Sequence, residues 1–168
     1  MIHKKIEEAV NEQIANEAYA SSSYLSMASW CEKQGLRGAA GFFYQQSDEE
    51  RVHMLKMVKY VNEAGGHALV SMIKEPPSSY KSINEAFEIA LDQERSVTKQ
   101  INKLVDLSLE TKDYASFHFL QWFVEEQLEE EKLFRLILDV IKLAGKDPRS
   151  LLLVDNEIAK IRGEEAKE

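Results

Sequence analysis

Four glutamates interrupt the apolar stripes of segments that are otherwise typical of amphipathic helices. Stepping through each segment at alternating intervals of four and three residues gives mostly apolar positions, broken near the middle by Glu17, Glu50, Glu94 and Glu130. None of these stripes contains a lysine or an arginine. Because a buried ionised carboxylate is costly unless something compensates it, the pattern predicts that bound cations supply the positive charge.

An imidazole and an amide accompany these carboxylates. Glu50 and His53 are spaced one turn apart on one helix face, and Gln127 precedes Glu130 by the same interval. An oxygen-rich set with one nitrogen ligand suits Fe(II) or Mn(II) better than a closed structural zinc site. Four carboxylates neutralise two divalent ions, so we expect two metals, bridged by Glu50 at roughly 3.5 to 4 Å.

Two other classes of function remain open for such a bundle. A single polar residue in a core stripe is commonly a register device or a side chain that reaches solvent, and a purely structural interaction bundle would take up no metal. A non-storage di-iron oxidase or peroxidase would use the same ligands. The coincidence of four carboxylates at one height favours a metal site over the structural alternative.

Glycines and prolines mark where the elements that carry these residues begin and end. The chain has only 7 Gly and 3 Pro, and the segments between their clusters are rich in strong helix formers. Asp147 and Pro148 are start signals for a short fifth helix, which we expect to end before Gly163. The predicted helices span about 5–34, 39–64, 83–110, 114–144 and 148–162.

The lengths of the connections predict the topology. Short connections make the first and second helices one antiparallel hairpin, and the third and fourth another. Residues 65–81, when extended, reach ~56 Å, which exceeds the ~39 Å length of the second helix. The fold predicted is therefore all-α, a single domain over residues 1–168 with a four-helix bundle and one long crossover between the second and third helices.

Composition narrows the partners and the compartment. The 168 residues include 29 acidic and 21 basic side chains, for a net charge of −8, which argues against nucleic acid and anionic membranes as partners. No apolar run approaches the ~18 residues that a membrane span needs. The single cysteine, Cys31, excludes a disulfide framework and fits a reducing compartment, so we expect a cytoplasmic protein.

As a set, these residues resemble the ferroxidase centre of bacterial non-haem ferritins, and the resemblance spans essentially the whole chain. It is carried by Glu17, Glu50-x-x-His53, Glu94, Gln127-x-x-Glu130 and Tyr24, which lies one heptad after Glu17. The resemblance implies that one iron is held by Glu17, Glu50 and His53. It implies a second iron held by Glu50, Glu94 and Glu130, with Gln127 beside the pair.

An additional third iron site is implied by a second group of acids. Glu49, Glu126 and Glu129, together with Glu130, match that site, although the run Glu125–Glu131 is also typical of a solvated acidic face.

The resemblance further implies iron storage with ferroxidase activity. Fe(II) would be oxidised by O2 or peroxide, and Fe(III) mineral would be deposited in the cavity of a homo-oligomeric shell of 24 subunits. Arg51 stands where bacterioferritins carry their haem-binding methionine, so no haem is expected. Tyr24 is a candidate electron donor, whereas for Trp122 packing is the favoured role.

Overall fold

The computed structural model describes residues 1–145 and 147–165, except for the side chains of residues 148 and 162–165. In this part of the chain every regular element is helical, and no strand occurs. A single 3-10 turn, Pro148–Ser150, precedes the last helix. The α-helices are α1 (Lys4–Lys33), α2 (Arg37–Glu63), α3 (Ile83–Glu110), α4 (Tyr114–Ala144) and α5 (Leu151–Glu165).

The crossover between α2 and α3 runs along α1. At one end His67 N donates to Glu7 Oε1 (2.9 Å) and Leu69 N donates to Asn11 Oδ1 (2.7 Å). At the other end Ser26 Oγ donates to the carbonyl oxygen of Pro77 (2.6 Å). Because the segment passes from the start of α1 toward its end, α2 and α3 run parallel. The predicted all-α bundle with one long crossover and a short fifth helix is confirmed.

Two apolar clusters fill the bundle, one on each side of a polar layer. The aromatic cluster is built around Tyr24, Phe42, Phe43, Phe87 and Phe134, and the aliphatic cluster around Ile6, Val10, Met57, Ile101 and Leu120. Along each of the four long helices, all residues of one cluster come before all residues of the other, with a gap between them. The glutamates that interrupt the stripes lie in those four gaps, so the fold brings them to the same height along the bundle axis.

Helix α5 packs on the end of the bundle that holds the aromatic cluster. Val154, Ile158 and Ile161 join that cluster. The sequence predicted an end near residue 162, but α5 continues through Gly163 to Glu165. A glycine costs only about 1 kcal/mol inside a helix, so it does not by itself end one.

A carboxylate from α5 caps α2. Leu36, the residue that precedes α2, makes no side-chain cap. Instead, the two oxygens of buried Asp155 accept from Gly38 N (2.9 Å) and Ala39 N (2.8 Å). The helices approach so closely that a Cβ on Gly38 would lie 1.9 Å from the Asp155 carbonyl oxygen. Burial, and secondarily the Asp155 charge, raise the pKa of the Cys31 thiol to about 12, so this cysteine stays protonated.

Among the helices in the described residues, none is both long and apolar enough to cross a membrane.

Candidate metal centre

Three of the predicted ligands form a compact buried group. Glu17 from α1 and Glu50 and His53 from α2 each offer a ligand atom, and these atoms all lie within 4.8 Å of one another. His53 Nδ1 is hydrogen-bonded to Glu50 Oε2 at 3.2 Å, as expected for residues one helical turn apart. Two oxygen ligands and one nitrogen ligand thus converge from two neighbouring helices.

Glu94 from α3 and Glu130 from α4 complete the layer. Glu94 is fully buried and Glu130 is 5% exposed. Burial, reinforced by the charges of Glu94, Glu17 and Glu130, raises the pKa of Glu50 well above its usual range. The charges that act on Glu50 thus come from the other three long helices.

The other two carboxyl groups also hold their protons more tightly than usual. Burial raises the pKa of Glu94 to about 7, although hydrogen bonds from Tyr24 and Gln127 oppose the rise. Burial, followed by the charge of Glu94, raises the pKa of Glu130 to about 8. Without cations, protons therefore supply part of the missing positive charge at neutral pH.

Neutral side chains donate to the carboxylates. The Tyr24 hydroxyl donates to Glu94 Oε1, and Gln127 Nε2 donates to the other Glu94 oxygen, Oε2, at 3.1 Å. Among the described side chains no lysine or arginine is buried. The described side chains therefore give the layer hydrogen bonds but no permanent positive charge, so protons or bound cations must balance its negative charge.

Two further glutamines belong to the site, and sequence analysis did not single them out. Gln13 Nε2 donates to Glu17 Oε1 at 2.9 Å, and Gln46 Nε2 donates to Glu130 Oε2 at 2.7 Å. Both glutamines are buried and occupy the heptad stripes of their helices. The signal that could have found them is an amide on an apolar stripe four residues before a site glutamate.

Gln46 also carries an unsatisfied polar atom. Its carbonyl oxygen, Oε1, is buried and has no hydrogen-bond partner among the described residues. Leaving a buried acceptor unpaired costs about 1–3 kcal/mol, so such a group calls for an explanation beyond folding.

The aromatic rings of Trp122 and Phe123 pack against His53. The Trp122 ring meets the imidazole edge-on at 5.4 Å between centroids, and the Lys56 ammonium lies 3.5 Å from the Trp122 ring centroid. Burial lowers the pKa of His53, but a hydrogen bond with Glu126 and the charges of nearby acids, Glu17 foremost, outweigh it and raise the pKa overall. Trp122, itself partly buried, also packs against the aliphatic cluster.

Of the three acids predicted to join Glu130 in a third metal site, two lie at the rim of the layer. Glu126 is half-buried, with Oε1 lying 3.7 Å from His53 Nε2. Glu49 is also half-buried, and its charge helps to raise the pKa of Glu130. Glu129 is exposed on α4 and is not brought into the buried group. Glu49 and Glu126 thus border the layer, whereas Glu129 faces outward.

The donor set fits hard divalent cations. Carboxylate oxygens dominate, one imidazole is present, and the phenol of Tyr24 and the amide of Gln127 donate to the two oxygens of Glu94. This chemistry matches Fe(II) or Mn(II) and lacks the thiolates that a closed zinc site prefers. Carboxylates approach from all four long helices, so the site depends on the assembled bundle.

Comparisons with known proteins agree with this geometry. A family model described as a ferritin-like domain matches residues 7–144. The chain is 44% identical over 161 residues to the bacterial non-heme ferritin of Campylobacter jejuni, covering 96% of each chain. It is 42% identical over 161 residues to a probable bacterial non-heme ferritin-like protein of Haemophilus influenzae, covering 96% of this chain and 98% of that one.

Solved structures show the same likeness. The chain matches an open pore ferritin from the hyperthermophilic archaeon Archaeoglobus fulgidus with a TM-score of 0.92 and 41% sequence identity, covering 95% of this chain and 98% of that one. An engineered closed form of the same archaeal ferritin gives a TM-score of 0.91 at 40% identity, covering 95% and 97% of the two chains. The chain therefore belongs to the ferritin family, and its predicted resemblance to bacterial non-haem ferritins is confirmed.

Proposed function

We propose that this protein stores iron, oxidising Fe(II) at the buried carboxylate layer and depositing Fe(III) mineral inside a closed homo-oligomeric shell. The observation that carries the proposal is the convergence of Glu17, Glu50 and His53 within 4.8 Å, with Glu94 and Glu130 beside them and no buried lysine or arginine among the described side chains. The names of the relatives, ferritins of bacteria and an archaeon, support iron as the cargo.

Substrate binding exchanges protons for iron. In the metal-free site, Glu50, Glu94 and Glu130 have raised pKa values, so part of the layer is protonated at neutral pH. Fe(II) ligands must be deprotonated, and binding therefore releases these protons. We assign one iron to Glu17, Glu50 and His53, and a second to Glu50, Glu94 and Glu130.

Oxidation follows from the charge of the ligands. Hard carboxylate oxygens favour Fe(III) over Fe(II), so the layer makes each iron easier to oxidise. Two Fe(II) ions together give up two electrons, enough to reduce one O2 to peroxide, and peroxide can accept two more. Tyr24, whose hydroxyl donates to Glu94, is the candidate electron donor beside the centre. The product, Fe(III), then leaves for the mineral.

The remaining elements of the proposal come from the family resemblance. They are a shell of 24 subunits, an additional iron site at Glu49, Glu126, Glu129 and Glu130, a cytoplasmic location and the absence of haem. The half-buried positions of Glu49 and Glu126 beside the layer support a route by which iron passes between the centre and the additional site.

The test combines molecular mass, iron content and one matched pair of variants. Purified protein is loaded aerobically with Fe(II), and scattering gives the mass while elemental analysis gives iron per chain. We expect a shell-sized particle that holds far more than two irons per chain. Glu50→Gln should slow Fe(II) oxidation by at least about 100-fold because it removes the bridging charge. Glu63→Gln, an exposed control on the same helix, should match the wild-type rate.

A monomer or dimer holding at most two irons per chain would exclude storage and favour a non-storage di-iron oxidase or peroxidase. A Glu50→Gln variant that oxidises Fe(II) at the wild-type rate would exclude the proposed centre altogether.

A further inference from the structure

The buried amides of the metal layer share one arrangement. Each of three glutamines, one on each of three helices, donates its amide N–H to a different site glutamate, and each is at most 3% exposed. The three are Gln13, Gln46 and Gln127. Sequence resemblance singled out only Gln127, so the other two need a role of their own.

We propose that Gln13 and Gln46 are positioning residues for the metal centre. Each binds one oxygen of a carboxylate, Glu17 Oε1 or Glu130 Oε2, and thereby leaves the second oxygen of that carboxylate to the cation. This inference rests on the proposed function, because it assigns the two amides to the iron ligands of that site.

Amides suit this task because they are neutral. A lysine or arginine in the same place would hold the carboxylate through its charge and would repel an incoming divalent cation. An amide N–H fixes the orientation of the carboxylate without neutralising it. Hydrogen bonds to metal ligands generally tune metal affinity in this way.

Gln46 provides the strongest observation. It is fully buried, and the hydrogen bond described for its amide is the one to Glu130, at 2.7 Å. Its carbonyl oxygen is unpaired among the described residues. An apolar side chain of similar size would fill the space without this unpaired oxygen, so packing does not account for an amide at this position. The contact with Glu130 does.

Gln13 is held more firmly than Gln46. While its Nε2 donates to Glu17, its Oε1 accepts from Asn16 Nδ2 at 3.4 Å. Asn16 Nδ2 also donates to Gln100 Oε1 on α3 at 3.2 Å. Both ends of the Gln13 amide are thus hydrogen-bonded. Through Gln13 and Asn16, Glu17 of α1 is linked to Gln100 of α3.

Gln46 also differs from what local spacing predicts. Gln46 and Glu50 are four residues apart on α2, the interval at which helix neighbours pair. The structure instead directs the Gln46 amide across the bundle to Glu130 on α4. One residue thereby couples the helix that carries Glu50 and His53 to a ligand on the opposite hairpin, so both halves of the site are held in register.

The test measures metal affinity apart from turnover. The assembled protein is titrated with Co(II) under anaerobic conditions, with calorimetry giving the affinity and visible absorption reporting the coordination. The variants are Gln13→Met and Gln46→Met, which keep the side-chain length and remove the donor. The control is Gln121→Met, because the half-buried Gln121 amide donates to the Phe117 carbonyl oxygen of its own helix (3.2 Å).

We expect each variant to weaken Co(II) binding about ten-fold at one of two steps, and to alter the Co(II) spectrum. Metal-free Gln46→Met should unfold near the wild-type temperature, because losing the unpaired oxygen offsets the lost hydrogen bond to Glu130. Gln46→Asn, which keeps the amide and shortens its reach, should also weaken binding. The control should leave the affinity and the spectrum unchanged.

Two results would overturn the inference. If wild-type protein binds Co(II) and the Met and Asn variants bind it within two-fold of wild type with the same spectrum, the amides do not position the ligands, although the metal centre stands. If the wild-type protein binds no Co(II) or Fe(II), both the inference and the proposed function fail.

Discussion

The acidic layer and the aromatic cluster beside it are built on consecutive turns of the same helices, yet they contribute to the protein in opposite ways. In the aromatic cluster, Phe43 stacks on Phe87 at 4.6 Å between centroids, and Phe42 meets Phe134 edge-on at 5.4 Å. Burying such rings stabilises the fold. The acidic layer instead buries carboxylates against one another, which destabilises the fold until cations arrive.

Tyr24 lies at the boundary between the two regions. Its ring stacks with Phe43 at 6.0 Å and with Phe134 at 5.7 Å between centroids, while its hydroxyl donates to Glu94. Burial, followed by the charge of Glu94, raises the pKa of Tyr24 well above its usual range, so the hydroxyl keeps its proton and remains a donor. The comparison teaches that one layer stabilises the bundle, whereas the next gives up stability at the place where the proposed function puts the cations.

The largest effect on stability should come from the aromatic cluster. Phe43→Ala removes a fully buried ring and should lower the free energy of unfolding by about 3–5 kcal/mol. The loss should be equal at pH 6 and pH 8, because no charge is changed. Urea unfolding of the metal-free protein measures it. A loss below about 1 kcal/mol would show that the cluster is not the stabilising region.

Cations should stabilise the protein through the acidic layer only. Co(II) at a hundred times its dissociation constant should raise the free energy of unfolding of the wild type by about 2.7 kcal/mol. Glu50→Leu should show no such gain, and its metal-free form should be at least as stable as the wild type. Thermal unfolding with and without Co(II) tests this, with Glu63→Gln as the control. Equal gains in Glu50→Leu and wild type would place the cation elsewhere.

The stability of the metal-free protein should fall as pH rises from about 4.5 to about 8. Burial raises the pKa of Glu94 from 4.5 to about 7 and that of Glu130 from 4.5 to about 8. In this window the folded state therefore binds more protons than the unfolded state. Each such proton changes the free energy of unfolding by about 1.4 kcal/mol per pH unit.

Variants of the two regions separate the source of this pH dependence. Unfolding midpoints are measured at intervals across the window for the wild type, Glu130→Leu and Phe43→Ala. Glu130→Leu should flatten the curve, whereas Phe43→Ala should shift it down in parallel. A wild-type stability that rises through the same window would contradict the protonation assigned to the layer.

The smallest effect should come from the cap between α5 and α2. Asp155→Ala removes the acceptor for Gly38 N and Ala39 N and should lower the free energy of unfolding by about 1 kcal/mol. Hydrogen exchange should rise at the start of α2 and along α5, while Co(II) affinity stays at the wild-type value. A change in Co(II) affinity as large as that of a site variant would show that α5 controls the metal layer.

The sequence was most informative where periodicity and chemistry conflict. One carboxylate in an apolar stripe can be a register device, but four at one height are not explained in that way, so spacing alone singles out Glu17 and Glu94 as candidate ligands. The lengths of the long helices followed from the positions of glycine and proline, and the crossover followed from the length of the segment between α2 and α3. These features depend on residues that lie close together along the chain.

Features that depend on distant contacts could not be predicted. Asp155 caps a helix that begins more than a hundred residues earlier, and no local pattern marks it as a cap. Gln46 donates to Glu130 rather than to its helix neighbour Glu50, a choice set by the packing of α2 against α4. Helix propensity alone predicts an end at Gly163, but it does not include the tertiary contacts of Val154, Ile158 and Ile161 that hold α5.

The most direct measurement is anomalous diffraction at the iron edge from crystals loaded with Fe(II) without oxygen. The expected map shows two peaks within the bundle, one among Glu17, Glu50 and His53 and the other among Glu50, Glu94 and Glu130. Crystals of Glu50→Gln, grown and loaded in the same way, should lose or weaken both. Iron found only at exposed acids such as Glu129, with no peak in the buried layer, would contradict the assignment of this layer as the site where iron is bound and oxidised.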